Sequence, residues 1–217
     1  MIVACVYWKG PNKTVFPEWW VATLRDMLRA NISIPFQFVC LTNTTVPGIS
    51  HGDIEPLKHN WRKWWSKIEL FRPGLFNERV LYVDLDTIIL ENITDLLQQP
   101  DPFIGLRPFN PIRALWDGYF ASGLMAWDAD GTYDFIYEDF KYNHHTQKCK
   151  GDQDYMSYIM ASHNKTHVYW QDLVTGVVSY KRHVQIGLLN GTRPRVVCFH
   201  GKPRPWEVAR YEDIGRK

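Results

Sequence analysis

The sequence has 217 residues, of which 45% are hydrophobic and 22% are charged, and its formal net charge at pH 7 is +2. This composition is typical of globular proteins and the length is sufficient for one large hydrophobic core, so we expect a single domain over residues 1–217. Basic residues are interspersed with acidic ones instead of forming a block, which argues against a nucleic-acid partner and favours a small-molecule one.

The sequence indicates neither a membrane protein nor a secreted one. No apolar run approaches the roughly 18 residues of a membrane-spanning helix, and residues 1–8 lack the features of a signal peptide. We therefore expect no transmembrane segment and a cytoplasmic location. Without a secretion signal we do not interpret as glycosylated the six asparagines that begin an Asn-x-Ser/Thr triplet, which are Asn12, Asn31, Asn43, Asn92, Asn164 and Asn190.

The cysteines show no metal-site or redox spacing. His144 and His145 precede Cys149, but the spacing is not that of a zinc site. We expect buried free thiols at all four cysteines, which are Cys5, Cys40, Cys149 and Cys198.

The first half of the chain alternates predicted strands and helices. Pro17 is at a position where helices tolerate proline, and Pro73 with Gly74 ends a second helical pattern. In chain order the predicted elements are a strand at residues 2–8, a turn at 10–12, a helix at 17–30, a strand at 36–41, a loop at 42–60, a helix at 61–71 and a strand at 79–84.

The second half is less regular. Its predicted elements are a strand at residues 123–127, helices at 132–142 and 152–162, and strands at 168–170 and 196–199. The strand–helix alternation of the first half predicts an α/β fold with a mostly parallel sheet covered by helices. In such folds ligands bind beyond the carboxyl ends of the strands.

Two carboxylates interrupt an apolar run in the middle of the sequence. Residues 80–90 are apolar at both alternate sets of positions, apart from Asp84 and Asp86. In an extended segment positions i and i+2 point the same way, so both carboxylates would lie on one buried face. Burying two adjacent like charges costs several kcal/mol unless a cation compensates, which predicts a Mg²⁺ or Mn²⁺ ion that bridges a diphosphate. The alternative is a strand end at which two solvated aspartates cap a turn.

The Asp84-Leu85-Asp86 motif at the end of the predicted strand resembles the DxD signature of GT-A glycosyltransferases. The match is to glycosyltransferase family 8, which includes glycogenin and bacterial lipopolysaccharide galactosyltransferases. Four further segments follow in that family's order: residues 66–70 resemble the helix with a basic residue against the donor, residues 121–125 the strand that touches the sugar, residues 151–154 the segment near the anomeric carbon, and residues 198–206 the C-terminal HFxGxxKPW motif.

The resemblance implies a Rossmann-like GT-A domain with a nucleotide-binding half at about residues 1–100 and an acceptor-side half at about residues 101–217. It implies retaining transfer of a hexose-type sugar from a nucleoside-diphosphate sugar, a UDP-sugar, to a hydroxyl of a glycan or glycoconjugate. The implied metal ligands for Mn²⁺ or Mg²⁺ are Asp84, Asp86 and His200. The other implied donor-binding residues are Val6 and Tyr7 at the base, Lys67 and Leu85, Ser122 and Gly123 at the sugar, and Gly201, Lys202 and Arg204 at the diphosphate.

Three residues are implied to be catalytic. Lys67 contacts the donor, while Asp152 and Gln153 orient the sugar and stabilise an oxocarbenium-like transition state.

The sequence departs from the family at two positions. Cys198 stands where the family has a histidine, with His200 two residues later, and Ala121 stands where the family has an asparagine before Ser-Gly.

Each supporting residue also has a structural interpretation. His200 could be a satisfied structural histidine, and Asp152 and Asp154 could stabilise a helix N-terminus. The remaining structural interpretations are an exposed helix face for Lys67, a solvated basic tail for Lys202 and Arg204, and a hydrophobic core position for Trp61, Trp64 and Trp65.

Two rival functions stay open. A haloacid-dehalogenase-like phosphatase also carries DxD after an apolar strand, although there the motif belongs to the first strand and Thr or Val stands where this chain has Ile88. A carbohydrate-binding or inactive transferase-like module would bind a UDP-sugar without hydrolysis or transfer.

Overall fold

A seven-stranded mixed sheet forms the centre of the fold. The protein is described by a computed structural model that covers residues 1–11, 16–144, 147–208 and 214, so Asn12 of the predicted turn and His145 lie outside the described residues. The strands are β1 (Ile2–Tyr7), β2 (Gln37–Thr42), β3 (Ile54–Pro56), β4 (Arg79–Val83), β5 (Thr87–Ile89), β6 (Phe103–Leu106), β7 (Ala121–Asp128), β8 (Val168–Tyr169), β9 (Val177–Ser179) and β10 (Val196–Cys198).

The strand order in the central sheet is β3-β2-β1-β4-β7-β6-β8. Neighbouring strands are parallel except that β7 runs antiparallel to both β4 and β6. This arrangement confirms the predicted α/β fold with a mostly parallel mixed sheet. A second sheet of order β5-β10-β9 is smaller.

Helices cover both faces of the central sheet. They are α1 (Trp19–Asn31), α2 (Thr94–Leu97), α3 (Phe135–Asn143), α4 (Asp152–Ser162) and α5 (Trp170–Leu173), together with a 3₁₀ helix at Lys63–Phe71. Side chains at odd positions of β1, such as Val3 and Cys5, pack with α1, whereas even positions, such as Ala4 and Val6, pack with the 3₁₀ helix, α3 and α4. The alternation of side chains along a strand therefore assigns each residue of β1 to one of two cores.

The predicted α-helix at residues 61–71 is wrong in type and in its start. The segment is a 3₁₀ helix that begins at Lys63, whose φ of 57° is incompatible with a right-handed helix before it. Residues 66–71 are all buried, because the tight helix directs successive side chains to different neighbours. Glu69 accepts hydrogen bonds from the N–H groups of Lys58 (2.6 Å) and His59 (2.9 Å), while Ile68 enters the core.

The apolar run at residues 80–90 is not one extended strand. β4 ends at Val83, and the Thr87 N–H donates to the Asp84 carbonyl (3.1 Å), which closes a turn before β5. The turn transfers the chain from the central sheet to the small one. Both aspartates consequently lie at the junction of the two sheets instead of on one face of a strand.

Other differences from the predicted elements concern boundaries and short strands. α1 begins at Trp19 instead of Pro17, and the predicted strand at residues 168–170 ends at Tyr169 because Trp170 opens α5. The prediction missed β6 and β9 and assigned β3 to a loop, since runs of three or four residues are too short to display a strand period. Within the described residues, no helix combines the length and the apolar character that crossing a bilayer requires.

Trp20 fixes the turn between the two sheets. Its side chain is fully buried, and its indole N–H donates to the Leu85 carbonyl at 2.5 Å.

Trp20→Phe leaves that carbonyl unpaired and removes core volume, so we expect a loss of about 2 kcal/mol in the free energy of unfolding, measured by urea denaturation. The control is Trp19→Phe, since Trp19 is 54% exposed and its replacement should change stability by less than about 0.5 kcal/mol. Equal effects of the two variants would contradict this role.

Candidate active site

A cavity of about 770 Å³ opens where the two sheets meet, beyond the carboxyl ends of β1 and β4. This is the position at which α/β sheets bind ligands. The cavity is lined by Val6 and Trp8 from the end of β1 and by residues 84–87 from the turn after β4, with further contributions from the 3₁₀ helix, the start of α4 and the segment after β10.

Lys67 is the centre of a buried polar network. Its ammonium Nζ lies 2.8 Å from Asp152 Oδ2 and 3.3 Å from Asp84 Oδ2. It also lies 3.1 Å from Ser122 Oγ, and the Ser122 hydroxyl donates to Asp152 Oδ2 at 2.6 Å. Four sequence segments that the family resemblance singled out are therefore in direct contact. The interpretation of Lys67 as a residue on an exposed helix face is wrong, since only 5% of it is exposed.

The charges of this network hold Lys67 protonated. Burial by itself lowers the pKa of the ammonium, but Asp152 and Asp84 raise it more, so the pKa lies above its ordinary value. The Tyr82 hydroxyl donates to Asp84 Oδ1 at 2.7 Å, and burial and the Asp84 charge raise the pKa of Tyr82. Asp84 is thus a hydrogen-bonded carboxylate with one partner on each oxygen.

Asp86 lies in a less favourable electrostatic environment. Its carboxylate pairs with the Arg204 guanidinium, and its carbonyl accepts the Phe199 N–H at 2.8 Å. Burial and then the negative charge of Asp84 raise the pKa of Asp86 to about 8, although Arg204 and Lys67 act in the opposite direction. Two carboxylates in one cavity are therefore incompletely compensated by the cations around them.

The implied third metal ligand does not join these two aspartates. His200 lines the cavity, but its Nε2 is 2.7 Å from Ser179 Oγ and its ring stacks on Phe109. Burial, Lys181 and Arg182 lower the pKa of His200. Within the described residues, no three His, Cys, Asp or Glu side chains come together in a way that could hold a metal ion.

Cys198, which stands where the family has a histidine, lines the same cavity as the aspartates. It is 6% exposed and lines the cavity, and burial, Asp86 and then Asp84 raise the pKa of its thiol. The described cysteines are free thiols, as predicted; Cys149 is only partly buried.

Two implied donor-binding residues do not line the cavity. Tyr7 is 1% exposed and packs in the α1 core, because strand alternation directs Val6 and Trp8 to the cavity side instead. Lys202 is an exposed residue, whereas its neighbours Gly201 and Arg204 line the cavity. Leu85, Gly123 and Gln153 also line the cavity, as the resemblance implied.

Several lining residues were missed by the sequence analysis. Trp64 was assigned to the core, but it is 45% exposed and forms part of the cavity wall. Arg113 lies 3.1 Å from Asp154 Oδ1, which also accepts a 2.6 Å hydrogen bond from Tyr119. No motif or periodicity marked Arg113, which lies in a three-residue 3₁₀ helix between predicted elements. Trp8 could have been found, because it alternates with Val6 on the same side of β1.

The raised pKa of Asp86 predicts a pH-dependent stability in metal-free buffer. The folded carboxyl has a pKa of about 8, while an unfolded aspartate has one of about 3.9. Between these two pH values the folded state binds more protons than the unfolded state. The stabilisation that Asp86 adds to the free energy of unfolding is therefore fully present below about pH 4 and is lost as pH rises to about 8. From pH 5 to pH 8 we expect the free energy of unfolding of the wild type to fall relative to that of Asp86→Asn. The control is Asp26→Asn, at a side chain that is 62% exposed, and its free energy of unfolding should follow that of the wild type at every pH. If the free energies of unfolding of wild type and Asp86→Asn change in parallel with pH, the raised pKa of Asp86 is contradicted.

Comparison with solved structures identifies the fold. The chain is similar to the glycosyltransferase GlyE of Streptococcus pneumoniae TIGR4, with 15% identity, a TM-score of 0.65, and coverage of 98% of this chain and 59% of the GlyE chain. It is similar to the galactosyltransferase LgtC, solved with donor and acceptor sugar analogues, with 13% identity, a TM-score of 0.66, and coverage of 95% and 89%. The bifunctional glycosyltransferase WbbM gives 13% identity, a TM-score of 0.63, and coverage of 97% and 48%.

These similarities extend over nearly all of this chain but over only about three fifths of GlyE and about half of WbbM. No protein-family model matches the sequence, and no curated protein matches it. At such low identities the likeness concerns the fold: the chain adopts the GT-A fold of these glycosyltransferases.

Proposed function

We propose that this chain is a metal-dependent, retaining glycosyltransferase that moves a hexose-type sugar from a UDP-sugar to a hydroxyl of a glycan or glycoconjugate. The observation that carries the proposal is the cavity at the junction of the two sheets, in which Asp84 and Asp86 lie beside the network of Lys67, Ser122 and Asp152. The shared GT-A fold supports the reaction class.

The chemistry of the aspartates fits Mn²⁺ or Mg²⁺. Asp84 and Asp86 offer hard oxygen ligands in one cavity, and the raised pKa of Asp86 reflects a charge conflict that a cation there would relieve. Mg²⁺-type ions commonly take one or two protein carboxylates and complete their coordination with substrate phosphates and water. The ion would neutralise charge that develops on the departing diphosphate.

Cations from the C-terminal segment would bind the same diphosphate. Arg204 pairs with Asp86 and lines the cavity, and its guanidinium has further N–H donors that suit phosphate oxygens. Arg182 also lines the cavity and carries a second positive charge on that side. Such fixed cations stabilise the leaving group more in the transition state than in the ground state.

The Lys67 network would hold the sugar. Asp152 Oδ2 already accepts hydrogen bonds from Lys67 and Ser122, so the orientation of the carboxylate is fixed. A fixed carboxylate suits electrostatic stabilisation of an oxocarbenium-like anomeric carbon. Gln153, the next residue, lines the cavity and supplies a neutral amide for orientation. Val6 and Trp8, with Phe16, would contact the base.

The fold argues against one of the two rival functions. A haloacid-dehalogenase-like phosphatase would require a different fold, with its motif after the first strand, whereas Asp84 follows β4 of a GT-A sheet. An inactive binding module would share the fold and differ only in turnover.

The test is metal-dependent release of UDP from a panel of UDP-sugars. We expect release with Mn²⁺ or Mg²⁺, loss with EDTA, and a decrease of roughly 100-fold or more in Asp86→Ala, as for removal of other groups that stabilise transition-state charge. The Asp26→Asn control should retain activity. Wild-type activity in Asp86→Ala would refute the mechanism, and tight UDP-sugar binding without release would indicate the inactive module.

Retention of configuration gives a separate prediction. A UDP-α-sugar should yield an α-linked product, identified by the proton coupling of the anomeric signal in NMR spectra of the purified product. A β-linked product would show inversion and would contradict the roles proposed for Asp152 and Gln153.

A further inference from the structure

The charge of the cavity is not balanced by the proposed donor. Six lysine and arginine side chains line it against four aspartates. A divalent ion and the diphosphate of a nucleoside-diphosphate sugar carry charges that cancel, so their binding leaves the surplus of positive charge in place. Surplus charge in a cavity favours a ligand of the opposite sign.

Three of the lining cations have carboxylate partners. Each of the four lining aspartates lies in one of these pairs: Lys67 with Asp84 and Asp152, Arg204 with Asp86, and Arg113 with Asp154. The aspartates therefore do not repel an incoming anion as free charges would.

The three other lining cations are Lys63, Lys150 and Arg182, and no carboxylate within the described residues pairs with them. Arg182 lies near His200, because the Arg182 N–H (3.2 Å) and His200 Nε2 (2.7 Å) both contact Ser179 Oγ, so it is on the side of the cavity formed by the segment after β10. Lys63 and Lys150 lie elsewhere: Lys63 begins the 3₁₀ helix, and Lys150 precedes α4, where its N–H donates to Asp154 Oδ2 at 3.2 Å.

An exposed aromatic ring, Trp64, lies in the cavity wall beside Lys63 and beside the backbone that follows Lys150. The Lys63 ammonium is 5.5 Å from the centre of the Trp64 ring, and a Cβ built on Gly151, the residue after Lys150, would lie 3.6 Å from Trp64 Nε1. Trp64 is 45% exposed although its neighbours from Ser66 onward are buried. A partly exposed indole offers an apolar surface and an N–H donor to a sugar ring.

The backbone at Lys63 supports a functional role. Its φ of 57° is in the left-handed region, which is strained for a residue with a Cβ and which glycine would occupy without strain. Strain of this kind is characteristic of functional sites, where a particular side chain is needed.

We propose that Trp64, Lys63 and Lys150 form the acceptor subsite and that the acceptor is an acidic sugar, whose ring lies against the indole and whose carboxylate or phosphate pairs with the two lysines. This inference rests on the proposed function, and it adds to it the chemical class of the acceptor.

The experiment compares acidic and neutral acceptors that are otherwise alike. The probes are p-nitrophenyl glucuronide against p-nitrophenyl glucoside, and glucose 6-phosphate against glucose, each with the UDP-sugar that gives the fastest UDP release. We expect a KM for the acidic member roughly 10-fold below that for the neutral member, since two charge contacts add to its binding. The preference should weaken with added salt.

Variants assign the preference to the named residues. Lys63→Gly and Lys150→Ala should each raise the KM of the acidic acceptor by about 3- to 10-fold and leave that of the neutral acceptor unchanged, and Trp64→Ala should raise both. Lys63→Gly also relieves the backbone strain, so it should not lower the melting temperature. The control is Lys165→Ala, at an exposed lysine beyond the far end of α4; it should change neither KM.

The outcomes separate the two proposals. Intact UDP release with equal use of acidic and neutral acceptors, or with acidic preference unchanged in the lysine variants, would overturn the acceptor assignment and leave the glycosyltransferase proposal standing. Absence of UDP release with every donor and metal would overturn both.

Discussion

The contact of the buried Lys67 ammonium with Asp84 and Asp152 is the interaction on which the site depends. A lysine that is 5% exposed is stable only if its charge is compensated, and the two carboxylates need the same compensation. Each group therefore constrains the other two. Because they come from the 3₁₀ helix, the turn after β4 and the start of α4, the ion pairs fix three elements relative to one another.

The second constraint is the turn at Asp84–Thr87 that passes the chain from one sheet to the other. Had the run continued as a single strand, the aspartates would lie within a sheet face. Instead the turn exposes them at the edge where the parallel strands end, with the indole of Trp20 bound to the Leu85 carbonyl behind them. The same junction brings β10 beside β5, so the segment after β10 delivers Arg204 to Asp86.

The sequence was sufficient to predict the long elements and to place Asp84 and Asp86 together. The buried runs of β1 and β4 and the bounds of α4 follow from hydrophobic pattern alone, and strand order made the carboxyl ends of β1 and β4 the expected site. Asp84 and Asp86 do line one cavity, as expected, but they lie on a turn and not on one face of a strand. Leu85 and Ile88 continue the apolar pattern through the turn, so the pattern could not reveal it.

Other parts of the site depend on tertiary contacts that no local pattern contains. Trp64 has the same spacing as its buried neighbours and differs only because the 3₁₀ helix, starting at the strained Lys63, rotates it toward the cavity. His200 bonds to Ser179, a residue of β9, and that strand was not predicted from the sequence. The role of Lys67 came from the family resemblance, and its partners became visible only in the fold.

The measurement that tests the central claim most directly is a crystal structure of the chain soaked with Mn²⁺ and UDP-glucose, with anomalous scattering used to locate the metal. The account predicts Mn²⁺ bound by Asp84 and Asp86 and bridging the diphosphate, with Arg204 near the phosphates and the Lys67–Asp152 pair near the sugar. Mn²⁺ or nucleotide bound elsewhere, with these aspartates free of metal, would contradict it.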